Sequence, residues 1–221
     1  MRRAIMLAVA VLASTGGVVQ ADSRPPAEAP LFDPITGYRM SHYRGVIPSI
    51  PEGVRRVDVA QAHALWRAGA IFIDVNPAPG ALRDVETGRW SLAEPHASIP
   101  GAHWFAESGR GELDPGIEQA MLLGVRRLAA RHPHRPLVVF CQADCWMSWN
   151  AALRLHRAGL PDIRWFADGL DGWKEAGFAV TLTVPAGYGV SLGPAMVRQA
   201  RKRDAIRATR RRCPGTGHSR L

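Results

Sequence analysis

The stretch LVVFCQADCWMSWNAA, residues 137–152, decides the fold of this chain. It opens with a short apolar run, Leu137 to Phe140, that is typical of a buried strand. Cys141 follows the run directly, Cys145 comes four residues later, and a helix-like pattern begins at Ser148. In parallel α/β sheets, reactive groups lie at such carboxyl ends of strands. The stretch therefore predicts a site built around a cysteine.

A loop that is closed by a helix start presents backbone N–H groups and the positive end of the helix dipole to the side chain it surrounds. Such surroundings favour the thiolate, which is the form of cysteine that attacks sulfur or binds metal. We therefore predict that Cys141 is the principal reactive thiol, exposed at the strand end, with Cys145 as its partner. A purely structural disulfide between them is the alternative. The rest of the predicted active-site loop is Gln142, Ala143, Asp144, Trp146, Met147 and Ser148.

Strand and helix patterns alternate on both sides of this stretch, which predicts an α/β fold with a parallel sheet flanked by helices on both faces. Residues 76–96 are polar and rich in Pro and Gly, and we expect a loop there, with at most a turn of helix. Asp168 and Asp171 lie between glycines and are expected in turns. The predicted strands are 70–75, a short strand within 99–104 after a turn at Pro100 and Gly101, 137–140 and 163–166. The predicted helices are one with Asp58 as its N-cap and Gly69 as its stop, and two that span 115–131 and 148–158.

The two ends of the chain differ from its middle. Residues 1–21 carry two arginines, an apolar run and small residues before Asp22, which is the pattern of a secretory signal peptide. We therefore expect export to the periplasm. Export places Cys141, Cys145 and Cys213 in an oxidising compartment, and an odd number leaves one cysteine free or paired between chains. The predicted organisation is signal peptide 1–21, linker 22–31, irregular N-terminal extension 32–56 packed on the domain, folded domain 57–186 and basic, disordered tail 187–221.

The net charge of +9 is concentrated at the ends. Residues 198–221 hold nine Arg or Lys side chains and one Asp, whereas residues 22–197 hold seventeen basic and eighteen acidic side chains. Because the folded part is close to neutral, we predict no nucleic-acid partner. The basic tail, with a stretch at 195–209 that could become helical when bound, suits contact with an anionic membrane surface.

The order of the motifs IDV, IPGAHW, VVFC ahead of a helix, and WFADGLDGW resembles the rhodanese domain. More narrowly, FDPITGYRMSHYR, CQADCWMSWNAA and DGLDGW resemble the exported rhodanese-like proteins called pyrroloquinoline quinone (PQQ)-dependent catabolism-associated CXXCW-motif proteins. The resemblance covers residues 32–173. By position, Cys141 matches the rhodanese nucleophile, and Cys145 and Trp146 match the narrower family's signature, with three spacer residues where that family's name suggests two.

This resemblance implies a rhodanese-like fold and an accessory role in PQQ-dependent alcohol oxidation, beside a periplasmic quinoprotein dehydrogenase or cytochrome c. The implied activity is sulfurtransferase-like or thiol–disulfide chemistry at the cysteine pair, with no bound cofactor. The loop lacks the glycine and the basic residue of rhodaneses proper. Because Asp144 stands there instead, we expect an anionic donor such as thiosulfate to be repelled.

Two further hypotheses come from other functional classes. A copper-binding or delivery protein could use Cys141 and Cys145, since Cu(I) favours thiolates, with a distant histidine. A non-catalytic docking module could use a tryptophan rim, since aromatic residues anchor interfaces. The candidate third copper ligands are His42, His96 and His103, and the candidate rim residues are Trp104, Trp146, Trp149, Trp165 and Trp173, of which we expect only Trp146 and Trp149 not to serve in packing.

Overall fold

The computed structural model describes residues 30–186 and the backbone of residues 190–192. The predicted signal peptide, nearly all of the linker, most of the basic tail with its 195–209 segment, and Cys213 lie outside the described residues. The strands described are β1 Arg55–Val57, β2 Ile71–Asp74, β3 Leu82–Arg83, β4 Trp90–Leu92, β5 His96–Ser98, β6 His103–Trp104, β7 Leu137–Phe140, β8 Ile163–Phe166, β9 Thr181–Thr183 and β10 Val190–Leu192, and the helices are α1 Val59–Arg67, α2 Pro115–Arg131, α3 Trp146–Arg157 and α4 Gly169–Glu175.

A five-stranded sheet in the order β1-β8-β7-β2-β6 forms the centre of the described chain, and every neighbouring pair in it is parallel. The two middle strands, β7 and β2, are buried along their whole length. Their unbroken apolar runs are what a strand needs when helices cover both faces of the sheet. The predicted α/β class with a parallel sheet is confirmed.

Strand β7 divides its side chains between two cores because successive residues of a strand point to opposite faces. Leu137, Val139 and then Cys141 belong to the core that holds residues of α2 and α3. Val138 and Phe140 belong to the other core, with residues of α1 and α4. The helices therefore cover both faces, and the first cysteine continues the face that lies under α3.

Several predicted elements are confirmed, because their observed bounds match the predicted ones. Helix α2 and strands β7 and β8 have the predicted limits. Helix α1 begins after Asp58, whose carboxylate accepts a hydrogen bond from the Gln61 backbone while the Gln61 side chain bonds back to the Asp58 N–H. Each half of this capping box satisfies a backbone donor that the helix start would otherwise leave without a partner.

The predicted loop 76–96 is wrong in part, since β3 and β4 pair antiparallel within it. Their connection is a tight turn in which the Asp84 carboxylate accepts hydrogen bonds from the Glu86 and Thr87 backbones. The turn predicted at Pro100 and Gly101 is present, with Gly101 at φ 82°, and the strand after it, β6, holds only the last two residues of the predicted range 99–104. Strands of two or three residues are too short to show a period in the sequence.

Two helices also differ from expectation. Helix α3 begins at Trp146, two residues before the predicted start, and the expected turns at 168–173 form helix α4, with Asp168 at its N-cap and Asp171 in its first turn. Both changes bring helix starts to the carboxyl ends of β7 and β8. Within the described residues, no helix combines the length and the apolar character needed to cross a membrane.

Candidate functional site

The cysteine loop connects the end of β7 to the start of α3. Asp144 turns the chain at φ 49°, in the left-handed region that Asp tolerates better than most residues. The carbonyl oxygen of Cys141 accepts a 2.7 Å hydrogen bond from the Leu170 backbone at the start of α4. A Cβ atom on Gly169 would lie 2.4 Å from the same oxygen, so only glycine allows this approach. The loop is therefore fixed from both helices.

Cys141 lies beneath this loop and has no exposed surface. Its sulfur faces two backbone carbonyl oxygens, that of Cys145 at 3.3 Å and that of Gln142 at 3.6 Å. A carbonyl accepts only from a protonated thiol, and burial further raises the pKa of Cys141 well above its ordinary value. The predicted exposure of Cys141 is therefore wrong. Cys141 lies at the end of strand β7, as predicted, but its side chain points into the core.

Cys145 occupies the N-cap position of α3 and is 3% exposed. The hydrogen bond from the Cys141 thiol is the largest of the causes that bring the pKa of Cys145 down to about 7. Burial acts in the opposite direction, but the N–H groups of Met147 and Gln142 and the charge of Arg44 add to the lowering. The two neighbouring thiols thus differ sharply, one holding a proton and the other ionised in half of the molecules near neutral pH.

The N-terminal extension, here residues 32–50, lies across the cysteine loop. Arg44 and Cys145 form an isolated antiparallel bridge. On one side of it the Gly45 N–H donates to the Asp144 carbonyl, and on the other the Trp146 N–H donates to the Tyr43 carbonyl, both at 2.8 Å. The first N–H group of helix α3 is therefore bonded to the extension rather than left free for a ligand.

A buried asparagine fastens the extension to helix α3. The Asn150 side chain accepts a hydrogen bond from the Arg39 N–H and donates to the carbonyls of Arg39 and Gly109, all at 2.9–3.0 Å. Further along, the Trp149 indole donates to the Ser49 carbonyl at 3.0 Å. Sequence reasoning missed Asn150, because an asparagine inside a helix has no distinctive spacing.

A model of the rhodanese-like domain matches residues 58–176, which is more than half of the chain. The chain belongs to the rhodanese-like domain family. The matched region contains four of the five strands of the central sheet, all but the edge strand β1, and the cysteine loop. It leaves out residues 32–57, so the extension that covers the loop lies outside the family model.

Similar solved structures share little sequence with this chain. The crystal structure of thiosulfate sulfurtransferase from Pseudomonas aeruginosa is 18% identical, with a TM-score of 0.38, and the match covers 62% of this chain and 21% of that chain. The solution structure of a rhodanese-like domain from Anabaena sp. is 18% identical, with a TM-score of 0.36 and coverage of 60% and 85%. This chain therefore spans about a fifth of the length of the Pseudomonas enzyme. No curated protein matches the chain.

The remaining predicted loop residues of this rhodanese-like domain position the two thiols. Ser148 is buried, donates its hydroxyl to the Cys145 carbonyl at 3.1 Å and accepts from the Trp165 indole at 3.0 Å. The Ala143 N–H donates to the Asp171 carboxylate at 3.1 Å, so an aspartate expected only in a turn holds the loop. Met147 is buried at 2% exposure, in the same core as Cys141.

Asp74, at the end of β2, holds the neighbouring loop. One carboxylate oxygen accepts from the N–H and side-chain amide of Asn76, and the other contacts the His96 ring at 2.7 Å and the Ser98 hydroxyl at 2.5 Å. A cavity of about 180 Å³ lies beside this group, with Asn76, His96 and Gln142 among its lining residues. The cavity therefore reaches the cysteine loop at Gln142.

The candidate copper ligands are not brought together. Among the residues that the structure describes, no group of three or more His, Cys, Asp or Glu side chains could hold a metal ion. His96 is bound to Asp74 and stacks against Trp104, and His103 is half-buried, with a pKa lowered mainly by burial. His42 lies in the extension with its carbonyl bonded to Arg39. The copper alternative that combines the cysteine pair with one of these histidines does not fit the site.

The tryptophan rim proposed for docking is largely buried. Trp104, Trp165 and Trp173 are each 1% exposed and fill the cores, as expected. Trp146 was expected at the surface but is 5% exposed, because Phe32 packs against its ring edge-on at 5.2 Å. Only Trp149 of the five is part-exposed within the described residues. The extension therefore covers the surface that a docking partner would have used.

The lowered pKa of Cys145 predicts a reactivity profile. The rate of Cys145 alkylation by iodoacetamide should be half-maximal near pH 7 and fall below it, because only the thiolate reacts and the proton returns as the pH drops. Cys141 should resist the reagent through neutral pH. Peptide-resolved mass spectrometry measures both rates. In denaturant the two thiols should react alike, with the ordinary cysteine pKa of about 8.5; equal rates in the native protein would contradict the prediction.

Proposed function

We propose that this protein is an exported, periplasmic accessory protein of PQQ-dependent alcohol oxidation that carries out thiol–disulfide chemistry with Cys141 and Cys145. One observation supports the chemistry above all others: two free, buried thiols lie four residues apart on one loop, and that of Cys145 has a pKa lowered to about 7, chiefly by hydrogen bonding with Cys141. The PQQ context rests on the resemblance of the extension and the CQADCW loop to the CXXCW-motif proteins. The partner would be a periplasmic quinoprotein dehydrogenase or cytochrome c.

The proposed reaction begins at Cys145. Its thiolate attacks one sulfur of a partner disulfide R–S–S–R′, forming a Cys145–S–S–R mixed disulfide and releasing R′S⁻. Cys141 then attacks the Cys145 sulfur; a Cys141–Cys145 disulfide forms, and the Cys141 proton leaves with the released RSH. The partner disulfide gains two electrons, and the cysteine pair loses two. The roles are reversed relative to the sequence prediction, because Cys141 is the sealed and protonated thiol.

Sulfur transfer is the second candidate, favoured by membership of the rhodanese-like family. The Cys145 thiolate would attack the outer sulfur of a donor such as thiosulfate and release sulfite, leaving a persulfide anion, Cys145–S–S⁻, and conserving charge. An acceptor thiolate would then take the outer sulfur. The extension limits this reaction, because it lies directly over Cys145 and the donor must pass it.

The test is mass spectrometry of the full chain purified from the periplasm, before and after reductant, with a metal assay on the same sample. We expect a loss of two hydrogens that links Cys141 to Cys145, reversed by reductant. A gain of one sulfur atom on Cys145 would instead support sulfur transfer. Two free thiols that stay unchanged in the presence of small disulfides, or stoichiometric copper, would overturn the proposal.

A further inference from the structure

We propose that Arg44 is the cation of the cysteine site: a positioning residue, supplied by the extension, that favours the thiolate of Cys145 and faces the sulfur group that Cys145 attacks. The loop itself offers no positive charge, since its residues between the cysteines are Gln142, Ala143 and Asp144. This inference rests on the proposed attack by Cys145. It supplies, from outside the loop, the basic residue that the loop itself lacks.

The backbone of the extension fixes where Arg44 lies. Arg44 is the residue of the bridge that pairs with Cys145, and the hydrogen bonds of Tyr43 and Gly45 hold it on both sides. An antiparallel pair places its two residues directly opposite one another. The chain therefore holds Arg44 opposite the thiol, and it does so through backbone contacts that a side-chain substitution leaves in place.

The guanidinium of Arg44 then lies along the loop. It donates a 2.7 Å hydrogen bond to the Gln142 side chain and is 3.9 Å from the Asp171 carboxylate. Asp171 in turn accepts the N–H of Ala143. Arg44, Gln142 and Asp171 thus form a chain of contacts around the loop, while 58% of the Arg44 side chain stays exposed to an incoming group.

The charges around Cys145 make Arg44 distinctive. Cys141 beneath the thiol is protonated, and the charged groups of the loop and of the first turn of α4, Asp144 and Asp171, are acidic; Lys174 lies in the last turn of α4. Arg44 is the cation that lowers the pKa of Cys145. Its long contact with Asp171 cancels little of its charge, since the Coulomb energy falls with distance and water screens exposed groups.

The experiment measures the pH dependence of Cys145 alkylation in the full chain. The variants are Arg44→Gln, Arg44→Lys and, as matched control, Arg55→Gln, all with Cys213→Ser to remove the third thiol. Arg55 is likewise an exposed arginine, paired with Asp162 at 2.7 Å on strand β1. We expect Arg44→Gln to slow alkylation about two- to fivefold near pH 6.5, as a partly exposed charge pair allows, and to shift the profile to higher pH.

The controls separate charge from structure. Arg44→Lys should restore most of the rate, Arg55→Gln should match the parent, and the effect of Arg44→Gln should shrink in about 1 M salt, where charges are screened within about 3 Å. An Arg44→Gln profile identical to that of the parent would overturn this inference while leaving the attack by Cys145 intact. If Cys145 fails to react in the parent itself, the proposed function fails instead.

Discussion

Cys145→Ser is expected to remove the fast reaction of this protein with a small disulfide such as dithiodipyridine, whereas Cys141→Ser is expected to keep it. The reason is ionisation: at pH 7 about half of Cys145 is thiolate, given its pKa of about 7. A thiol whose pKa is above 9 has a roughly fiftyfold smaller thiolate fraction, which its higher nucleophilicity offsets only in part. Loss of Cys145 should therefore slow the first step at least about tenfold.

The second step distinguishes Cys141→Ser from the wild type by the product that each accumulates. Cys141→Ser should accumulate a mixed disulfide on Cys145, because the residue that resolves it is gone, and the wild type should accumulate the Cys141–Cys145 disulfide. Intact-mass measurement over the time course distinguishes these products, with Cys213→Ser as the parent of all variants. Thermal unfolding of each variant is the control for folding. A mixed disulfide trapped on Cys141 in the Cys145→Ser variant, at the wild-type rate, would restore the roles predicted from the sequence.

The parallel sheet and the place of the cysteine loop were predictable because they depend on long apolar runs. Helix α2 and strands β7 and β8 carry enough residues for their periods to be recognised. The short strands β3 to β6 were largely missed, because strands of two or three residues leave no period. The first turn of α3 was missed because Trp146 and Met147 were assigned to the loop.

The sequence contains a signal for the burial of Cys141, which is the alternation of side chains along β7. The alternation of β7 places Leu137, Val139 and Cys141 on one face, and a helix follows that must cover one face of the strand. A cysteine in phase with two buried residues continues the core. The exposure of a residue at a strand end thus depends on its phase along the strand as well as on its position.

The covering of the site by the extension could not be predicted. Residues 32–50 have no period, and their backbone groups bond to partners far along the chain: the Tyr43 carbonyl accepts from the Trp146 N–H, and the Arg39 N–H donates to the Asn150 side chain. Backbone groups are the same in every residue, so such pairing leaves no mark in composition. The motif FDPITGYRMSHYR is visible in the sequence, but its place over the thiols is visible only in the fold.

Asn150→Ala is expected to release the extension from the cysteine loop. The change leaves the Arg39 N–H and the carbonyls of Arg39 and Gly109 without their hydrogen-bond partner. A buried polar group that is left unpaired costs about 1–3 kcal/mol. Because water reaches some of these three groups, we expect the free energy of unfolding to fall by about 2 kcal/mol. Urea denaturation measures this loss. The control is Ile35→Ala, in the same extension, whose side chain is 92% exposed and should change nothing.

Release of the extension has a second, local signature. Under conditions where the sheet stays folded, trypsin should cut after Arg39 and Arg44 faster in Asn150→Ala than in the wild type. The reason is that a protease can bind a released segment but not one that hydrogen bonds hold on the domain. Freed from the bridge with Arg44, Cys145 should also be more accessible to bulky disulfides, while its alkylation profile should shift to higher pH as the arginine moves away. Greater access combined with a higher pKa would mean that the extension both shields the thiol and activates it. Unchanged cleavage with the full loss of stability would place the role of Asn150 in the core alone.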